Sequence, residues 1–350
     1  MKLAIFGAGA VGGYVGGLLA HEGCEVTLVD MWHEHVAAIR DHGLEITGPE
    51  GSLVGRPRAV TIGEFTSTVW PEPVDIAFIC VKSYDTEWIA TLLKPHLAPD
   101  GFAVSLQNCL NEGTVARVLG AERTLGCVVA SISVELFAPG RIRRERARRT
   151  EGHSVFRVGE LDGRQSERTH LVSEMLHKVD NARVTTNLQG ERWSKLANNA
   201  MNSGIAATTG LSAKQGMADA ALRPVMIDLA METVAVGTAL GHALERVGKV
   251  DAALYLRAAR GDGAARGEID ALLSAQGDPR PATRLSSMGQ DIAKGRRTEI
   301  DFLNGYVVEM GRQAGIATPA NARVVALVQE IQAGRRAPHP DNLRRLAVPG

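Results

Sequence analysis

The sequence predicts an α/β protein: a doubly wound parallel sheet in the first half, followed by an all-helical second domain. Three observations carry this expectation. Strand-length apolar runs near the N-terminus do not alternate with polar residues, helix-length segments lie between several of them, and the pattern turns nearly all helical from about Asn187. Unbroken apolar runs mark strands buried on both faces, and their alternation with helices implies a parallel sheet.

The strand candidates are Leu3–Phe6, Val26–Val29, Val74–Val81, Ala103–Leu106 and Thr124–Ala130. Helices are expected over Val11–His21, His33–Asp41, Asp85–Leu93 and Glu112–Leu119. Gly140, Gly152 and Gly159 punctuate short segments, which suggests an antiparallel hairpin at a sheet edge over 140–160. Further on, Val225, Leu229, Thr233, Val236 and Leu240 recur at helical spacing, and Pro224 and Pro319 suit first-turn positions. The stretch 261–267 reads as a loop, and Pro338, Pro340 and Pro349 mark a loosely held end. The expected domains are 1–186 and 187–334, with a flexible tail over 335–350. A hinge near 181–190 is expected to close a cleft between the domains over the bound ligands.

Composition excludes several function classes. Lys plus Arg and Asp plus Glu balance at 39 each, so no global field selects nucleic acid or an anionic membrane. Cys24, Cys80, Cys109 and Cys127 lie far apart, as reduced thiols do, and the ten histidines show no ligand spacing, so no metal site is expected. The opening Met1–Phe6 runs straight into a strand, leaving no room for a signal peptide, and no apolar run approaches a membrane span. A cytoplasmic location follows. The basic run Arg141, Arg143, Arg144, Arg146, Arg148 and Arg149 reads as a solvated hairpin.

Chemistry first enters at Gly7-Ala8-Gly9-Ala10-Val11-Gly12, a GxGxxG between the first strand and the first helix. Gly7 permits the tight turn, Gly9 lets backbone approach a pyrophosphate, and Gly12 lets the helix pack on the sheet, while the helix N-terminus supplies donors. In this context the motif marks a Rossmann-type sheet that binds a nicotinamide dinucleotide, NAD(P)H. Asp30, ending the second strand, can accept hydrogen bonds from the ribose hydroxyls and repel a 2′-phosphate, favouring NAD over NADP. It can also cap the following helix.

Other segments carry a family resemblance. Glu191-Arg192-Trp193-Ser194-Lys195-Leu196-Ala197-Asn198-Asn199 and Ser286-Ser287-Met288-Gly289-Gln290-Asp291 through Thr298-Glu299-Ile300-Asp301-Phe302-Leu303-Asn304-Gly305 resemble the signatures of the ketopantoate reductase (2-dehydropantoate 2-reductase) family. Gln107-Asn108 and Lys82 are similar to its cofactor-side motifs, and the likeness spans nearly the whole chain. It implies reduction of a small 2-oxo acid, 2-dehydropantoate to pantoate, by hydride transfer from NAD(P)H. It further implies Lys195 as general acid and Glu299 orienting it, with Asn199 and Ser287 on the substrate. Asn108 would bridge nicotinamide and substrate, and Lys82 would contact the cofactor. The expected partner is thus a small molecule. Helical second domains often carry dimer contacts, so a homodimer is an open expectation.

Taken singly, these residues have plain readings. Lys195 would be a solvated charge, Ser287 a helix-start residue, Glu299 an exposed helix charge, and Asp301 and Asn304 cap or packing contacts. Three positions also depart from the family pattern. Ser203 stands where a helical polar stripe usually continues with asparagine, Cys109 replaces the glycine of Q-N-G, and Asp30-Met31 replaces an arginine suited to a 2′-phosphate. Ser203, as a substrate contact, leaves room for a different acid. Two alternatives follow: an NAD-dependent dehydrogenase of the same family acting on another hydroxy acid, and a non-catalytic dinucleotide sensor.

Overall fold

The computed structural model describes residues 1–67, 73–130, 132–280 and 285–344. Contacts divide it into two compact units, Met1–Leu188 and the chain from Gln189 onward. The strands of the first unit are β1 (Leu3–Phe6), β2 (Val26–Asp30), β3 (Leu44–Gly48), β4 (Gly51–Gly55), β5 (Arg58–Thr61), β6 (Val74–Ile79), β7 (Leu97–Ser105), β8 (Thr124–Val129), β9 (Val134–Ala138), β10 (Arg141–Arg144), β11 (Phe156–Gly159) and β12 (Ala182–Val184). Its helices are α1 (Ala10–His21), α2 (His33–His42), α3 (Ile62–Phe65), α4 (Thr86–Leu93), α5 (Glu112–Leu119) and α6 (Glu167–His177).

Eight strands make the main sheet in the order β12-β11-β8-β7-β6-β1-β2-β5. All its pairings are parallel except β11 with β8. The chain winds outward from β1 through β2 to β5, then crosses back to β6, so the switch point lies between β1 and β6. In such sheets ligands bind at the carboxyl ends of the strands beside the switch point. The Gly-rich turn follows β1 there, and Lys82 follows β6.

A second sheet, β4-β3-β10-β9, is the main departure from expectation. The hairpin expected over 140–160 is instead β9–β10, turning at Gly140 (φ +70°) in this second sheet, while β11 joins the main one. Helix α1 is packed between the two sheets by paired glycines. A Cβ on Gly12 or Gly16 would strike Cys80, just past β6, or Leu28 of the main sheet, and one on Gly13 or Gly17 would strike Ile142 or Leu44 of the second.

The basic run is also not uniformly solvated. Arg141 and Arg143 point outward to Glu45 and Glu135, whereas Arg144 is buried and paired with Asp180, their side chains 3% and 1% exposed. Arg144 also donates to the Tyr14 hydroxyl at 2.6 Å.

In the second unit, α7 (Leu188–Thr209) is followed by α8 (Ala213–Ala218), α9 (Arg223–Ala239), α10 (Ala252–Ala259), α11 (Gly263–Ser274), α12 (Ser287–Ala293), α13 (Asn304–Ala314), α14 (Pro319–Gln332) and α15 (Asp341–Arg344). One short hairpin, β13 (Arg246–Val247) with β14 (Val250–Asp251), interrupts the helices. Val225, Leu229, Thr233 and Val236 are buried along α9, the face their spacing predicts. Trp193 of α7 stacks on His242 at 5.7 Å and lies against Gly237, where a side chain would collide with its indole.

The division between the units falls within the expected segment, and two expectations further along the chain change. Segment 181–190 holds β12 and the start of α7, and the units divide at Leu188. The 261–267 stretch opens α11, because the Asp262 side chain accepts the Ala265 N–H at 3.0 Å and starts a helix there. Of the expected tail, 335–344 is instead tied down within the second unit. His339 N–H and Asn342 Nδ2 donate to the Thr208 carbonyl, Arg344 pairs with Asp219 at 2.6 Å, and Leu343 is buried. The remaining 345–350 lie outside the described residues.

Candidate active site

The Gly-rich turn has the shape that its spacing predicts. Gly7 adopts φ +92°, a region costly for any residue with a side chain, and a Cβ there would press on the Cys80–Val81 peptide. A Cβ on Gly12 would collide with the Gly7 carbonyl oxygen, so helix and turn close only around glycine. Gly9, which precedes α1, faces open space. Helix α1 has no acidic residue in its own first turn. Open space at Gly9 and the start of α1 just beyond it suit a pyrophosphate.

Both polar groups of Ala8 are held by the second βα unit. Its N–H donates to Asp30 Oδ2 at 2.6 Å, and its carbonyl lies 2.9 Å from His35 Nε2. Asp30 Oδ1 accepts the Trp32 N–H at 2.9 Å. The capping expectation for Asp30 is thereby modified. Trp32 is the residue before α2, no side chain caps that helix, and Asp30 binds the approach to it.

At the end of β7, Gln107 is buried and donates to the Val81 carbonyl at 2.9 Å and the Thr86 hydroxyl at 2.7 Å. Asn111 Nδ2 bridges the Ser83 hydroxyl and the Asn108 carbonyl. These bonds join the turn after β7, carrying Asn108, to the turn after β6, carrying Lys82. Cys109 between them adopts φ +66° and is buried, so it occupies a glycine conformation with a side chain.

The second unit holds the remaining candidates. Lys195 and Asn199 lie one turn apart on α7 and are partly exposed, and Ser203 is buried a turn further on. At about 100° per residue, Asn202 falls about 20° from Lys195 and Ser203 about 80° from it. Asn202 Nδ2 donates to Asn198 Oδ1 at 3.0 Å. Glu299 is 3% exposed, which excludes the exposed-charge reading. It precedes the short turn Ile300–Phe302 that leads into α13.

Asn304, opening α13, donates to the Ala200 carbonyl of α7 at 3.2 Å and to Asn321 Oδ1 at 2.9 Å. It is a packing contact, as its plain reading held. Asp301 is exposed and accepts from Gln329. Ser287 is the first residue of α12, which packs on α7 where Gly289 meets Ala206. The segments that carry Ser287 and Glu299 therefore both pack on the Lys195 helix, near Ala206 and Ala200. Sequence reasoning missed His35 and Asn111, which act through contacts distant in sequence. It also passed over Ser286, whose buried hydroxyl has no hydrogen-bond partner among the described residues.

A Gly-rich turn opening a helix at a parallel sheet's switch point marks a dinucleotide-binding protein, and the comparisons refine that class to an oxidoreductase family. The family models described as ketopantoate reductase PanE/ApbA and its C-terminal part match residues 3–161 and 187–332. The chain belongs to this family, whose members use NAD(P)H. A 2-dehydropantoate 2-reductase of Caulobacter vibrioides is 31% identical over 333 residues, 93% of this chain and 98% of its own. A PanE/ApbA family ketopantoate reductase from Ralstonia eutropha JMP134 has a TM-score of 0.76 at 29% identity, covering 96% of this chain and 99% of that one. D-mandelate dehydrogenase, solved with NADH and anilino(oxo)acetate, shares the fold with a TM-score of 0.75 at 21% identity, covering 96% and 99%.

Proposed function

We propose that the chain reduces a small branched 2-oxo acid, 2-dehydropantoate, to pantoate with NADH, as a cytoplasmic enzyme. When bound, the reduced dinucleotide supplies the hydride. The protein's own part is to hold the carbonyl, neutralise the alkoxide and deliver a proton. Lys195 Nζ donates that proton, Asn199 hydrogen-bonds the substrate, Ser287 anchors its carboxylate, and Asn108 positions the nicotinamide side. Lys82 contacts the cofactor, and Glu299 orients Lys195 and meets the substrate hydroxyl.

The observation that carries this reading is the burial of Glu299. A carboxylate that is 3% exposed needs a charged or hydrogen-bonding partner, and its signature segment packs against the helix bearing Lys195. A sensor without turnover has no need of a proton donor such as Lys195. Asp30 supports NADH, since its carboxylate stands at the end of β2 and would repel a 2′-phosphate.

Ser203 and Cys109 favour a second reading, a different hydroxy acid oxidised or formed by the same residues. Ser203 is smaller than the asparagine usual there, and the similarly folded D-mandelate dehydrogenase is solved with anilino(oxo)acetate, which supports the reading. Steady-state rates with NADH and NADPH over a panel of 2-oxo and 2-hydroxy acids test both. Highest kcat/KM for 2-dehydropantoate with NADH is the expected result. Activity confined to other acids removes the substrate, and an NADPH preference removes the cofactor assignment.

A further inference from the structure

We propose that His35 is a positioning residue for the dinucleotide, acting as a neutral two-sided clamp that fixes the Gly-rich turn against the second sheet. This inference rests on the dinucleotide occupying that turn.

The imidazole is fully buried at 0% exposure. Its Nδ1 accepts the Gly140 N–H at 2.9 Å, a bond spanning 105 positions of sequence. Because a backbone N–H can only donate, Nδ1 carries no proton, and the ring's one proton sits on Nε2. From there it is donated to the Ala8 carbonyl at 2.9 Å. One tautomer alone satisfies both neighbours. Asp30 holds the N–H of the same Ala8, so the peptide that opens the turn is fixed from both ends. Trp32 covers the ring, stacked at 5.4 Å and 21°.

Protonation would put a second N–H on Nδ1, facing the Gly140 N–H, and the clamp would open. Burial holds the imidazole below its usual range, while its bond to the Ala8 carbonyl and the charge of Asp30 pull the other way. Asp30 is the charge whose field reaches the ring. The turn Gly7–Gly12 has no titratable side chain, Arg141 beside Gly140 is paired with Glu45, and Glu34 on the same helix is exposed. The neutral clamp is therefore complete above the usual histidine pKa and is lost as pH falls through the lowered value that burial gives this imidazole.

The test is NADH affinity of the whole protein by fluorescence titration between pH 5 and 8, for wild type, His35→Gln and His35→Phe. Glutamine keeps a donor and an acceptor but cannot titrate, whereas phenylalanine keeps only the ring. Expected results are a wild-type Kd that weakens toward pH 5, a flat profile for His35→Gln, and a Kd about tenfold weaker at pH 8 for His35→Phe. In turnover, the loss should fall on KM for the dinucleotide with kcat retained. If His35→Phe does not fold, the contrast between wild type and His35→Gln decides alone. Parallel pH profiles for those two proteins overturn the inference. Wild type that binds neither NADH nor NADPH at any pH overturns the dinucleotide reading and this clamp with it.

Discussion

Asp30 Oδ2 accepts the N–H of Ala8 at 2.6 Å, so the acid proposed to read the ribose also holds the turn proposed to read the pyrophosphate. Asp30→Asn places an amide N–H against one of two backbone donors. NADH affinity should fall, and with the repulsive charge gone the NADH over NADPH ratio of kcat/KM should drop about tenfold. Steady-state kinetics with both dinucleotides check this, and an unchanged ratio contradicts the role of Asp30.

Arg144 is a structural cation. It pairs with buried Asp180, bonds the Tyr14 hydroxyl and lies over the Tyr14 ring at 5.3 Å. Arg144→Met leaves Asp180 charged and unpaired in the interior, which should cost about 3–5 kcal/mol in urea unfolding. Adding Asp180→Asn should recover much of that loss, because the uncompensated charge disappears while Oδ1 still accepts the Arg149 and Asn181 N–H groups.

Glu232 stabilises the start of α14 by accepting the N–H groups of Ala320 and Asn321 at 2.8 and 2.9 Å. Burial nevertheless pushes its carboxyl above the usual range, outweighing those bonds. A raised folded pKa means that stability present below the ordinary carboxylate value is lost as pH rises through the folded one. The Tm of wild type, measured relative to Glu232→Gln, should therefore fall between pH 4 and 7. A constant difference would show that the site does not titrate as described.

Cys109 pays for its side chain with backbone strain at φ +66°. Cys109→Gly relieves about 1 kcal/mol of that strain while deleting a buried sulfur and loosening the unfolded chain. The two effects should nearly cancel, leaving Tm within a few degrees of wild type. An equally buried cysteine in ordinary backbone would lose stability on the same change, so a large drop in Tm argues against strain here.

Ser203 is the position expected to set substrate size. Ser203→Asn should raise kcat/KM for 2-dehydropantoate relative to bulkier 2-oxo acids by about tenfold, an effect of the order that pocket groups produce. No change in relative rates would place Ser203 outside the substrate site.

Parts of this structure were legible in the sequence for definite reasons. β1, β2, β6, β8 and the Phe102–Ser105 end of β7 are largely buried on both faces, so they read as apolar runs, and GxGxxG has a backbone geometry that few other residues permit. The second sheet was not legible. Its strands are short, its polar and glycine content resembles loop, and its hydrophobic partner is the glycine-lined face of α1, distant in sequence. Arg144 was hidden by composition, although the alternation in Arg141-Ile142-Arg143-Arg144 placed it on the inward face with Ile142. The Lys195 and Glu299 signatures were readable through resemblance, but the burial of Glu299 depends on how α7 and α13 pack.

The most direct measurement is NADH oxidation by 2-dehydropantoate, wild type against Lys195→Ala, with dinucleotide affinity measured in parallel. Loss of a positioned proton donor should lower kcat by about 10²–10⁴-fold while NADH Kd stays within about twofold. A variant that turns over at the wild-type rate would contradict Lys195 as the acid and, with it, the reaction proposed for this fold.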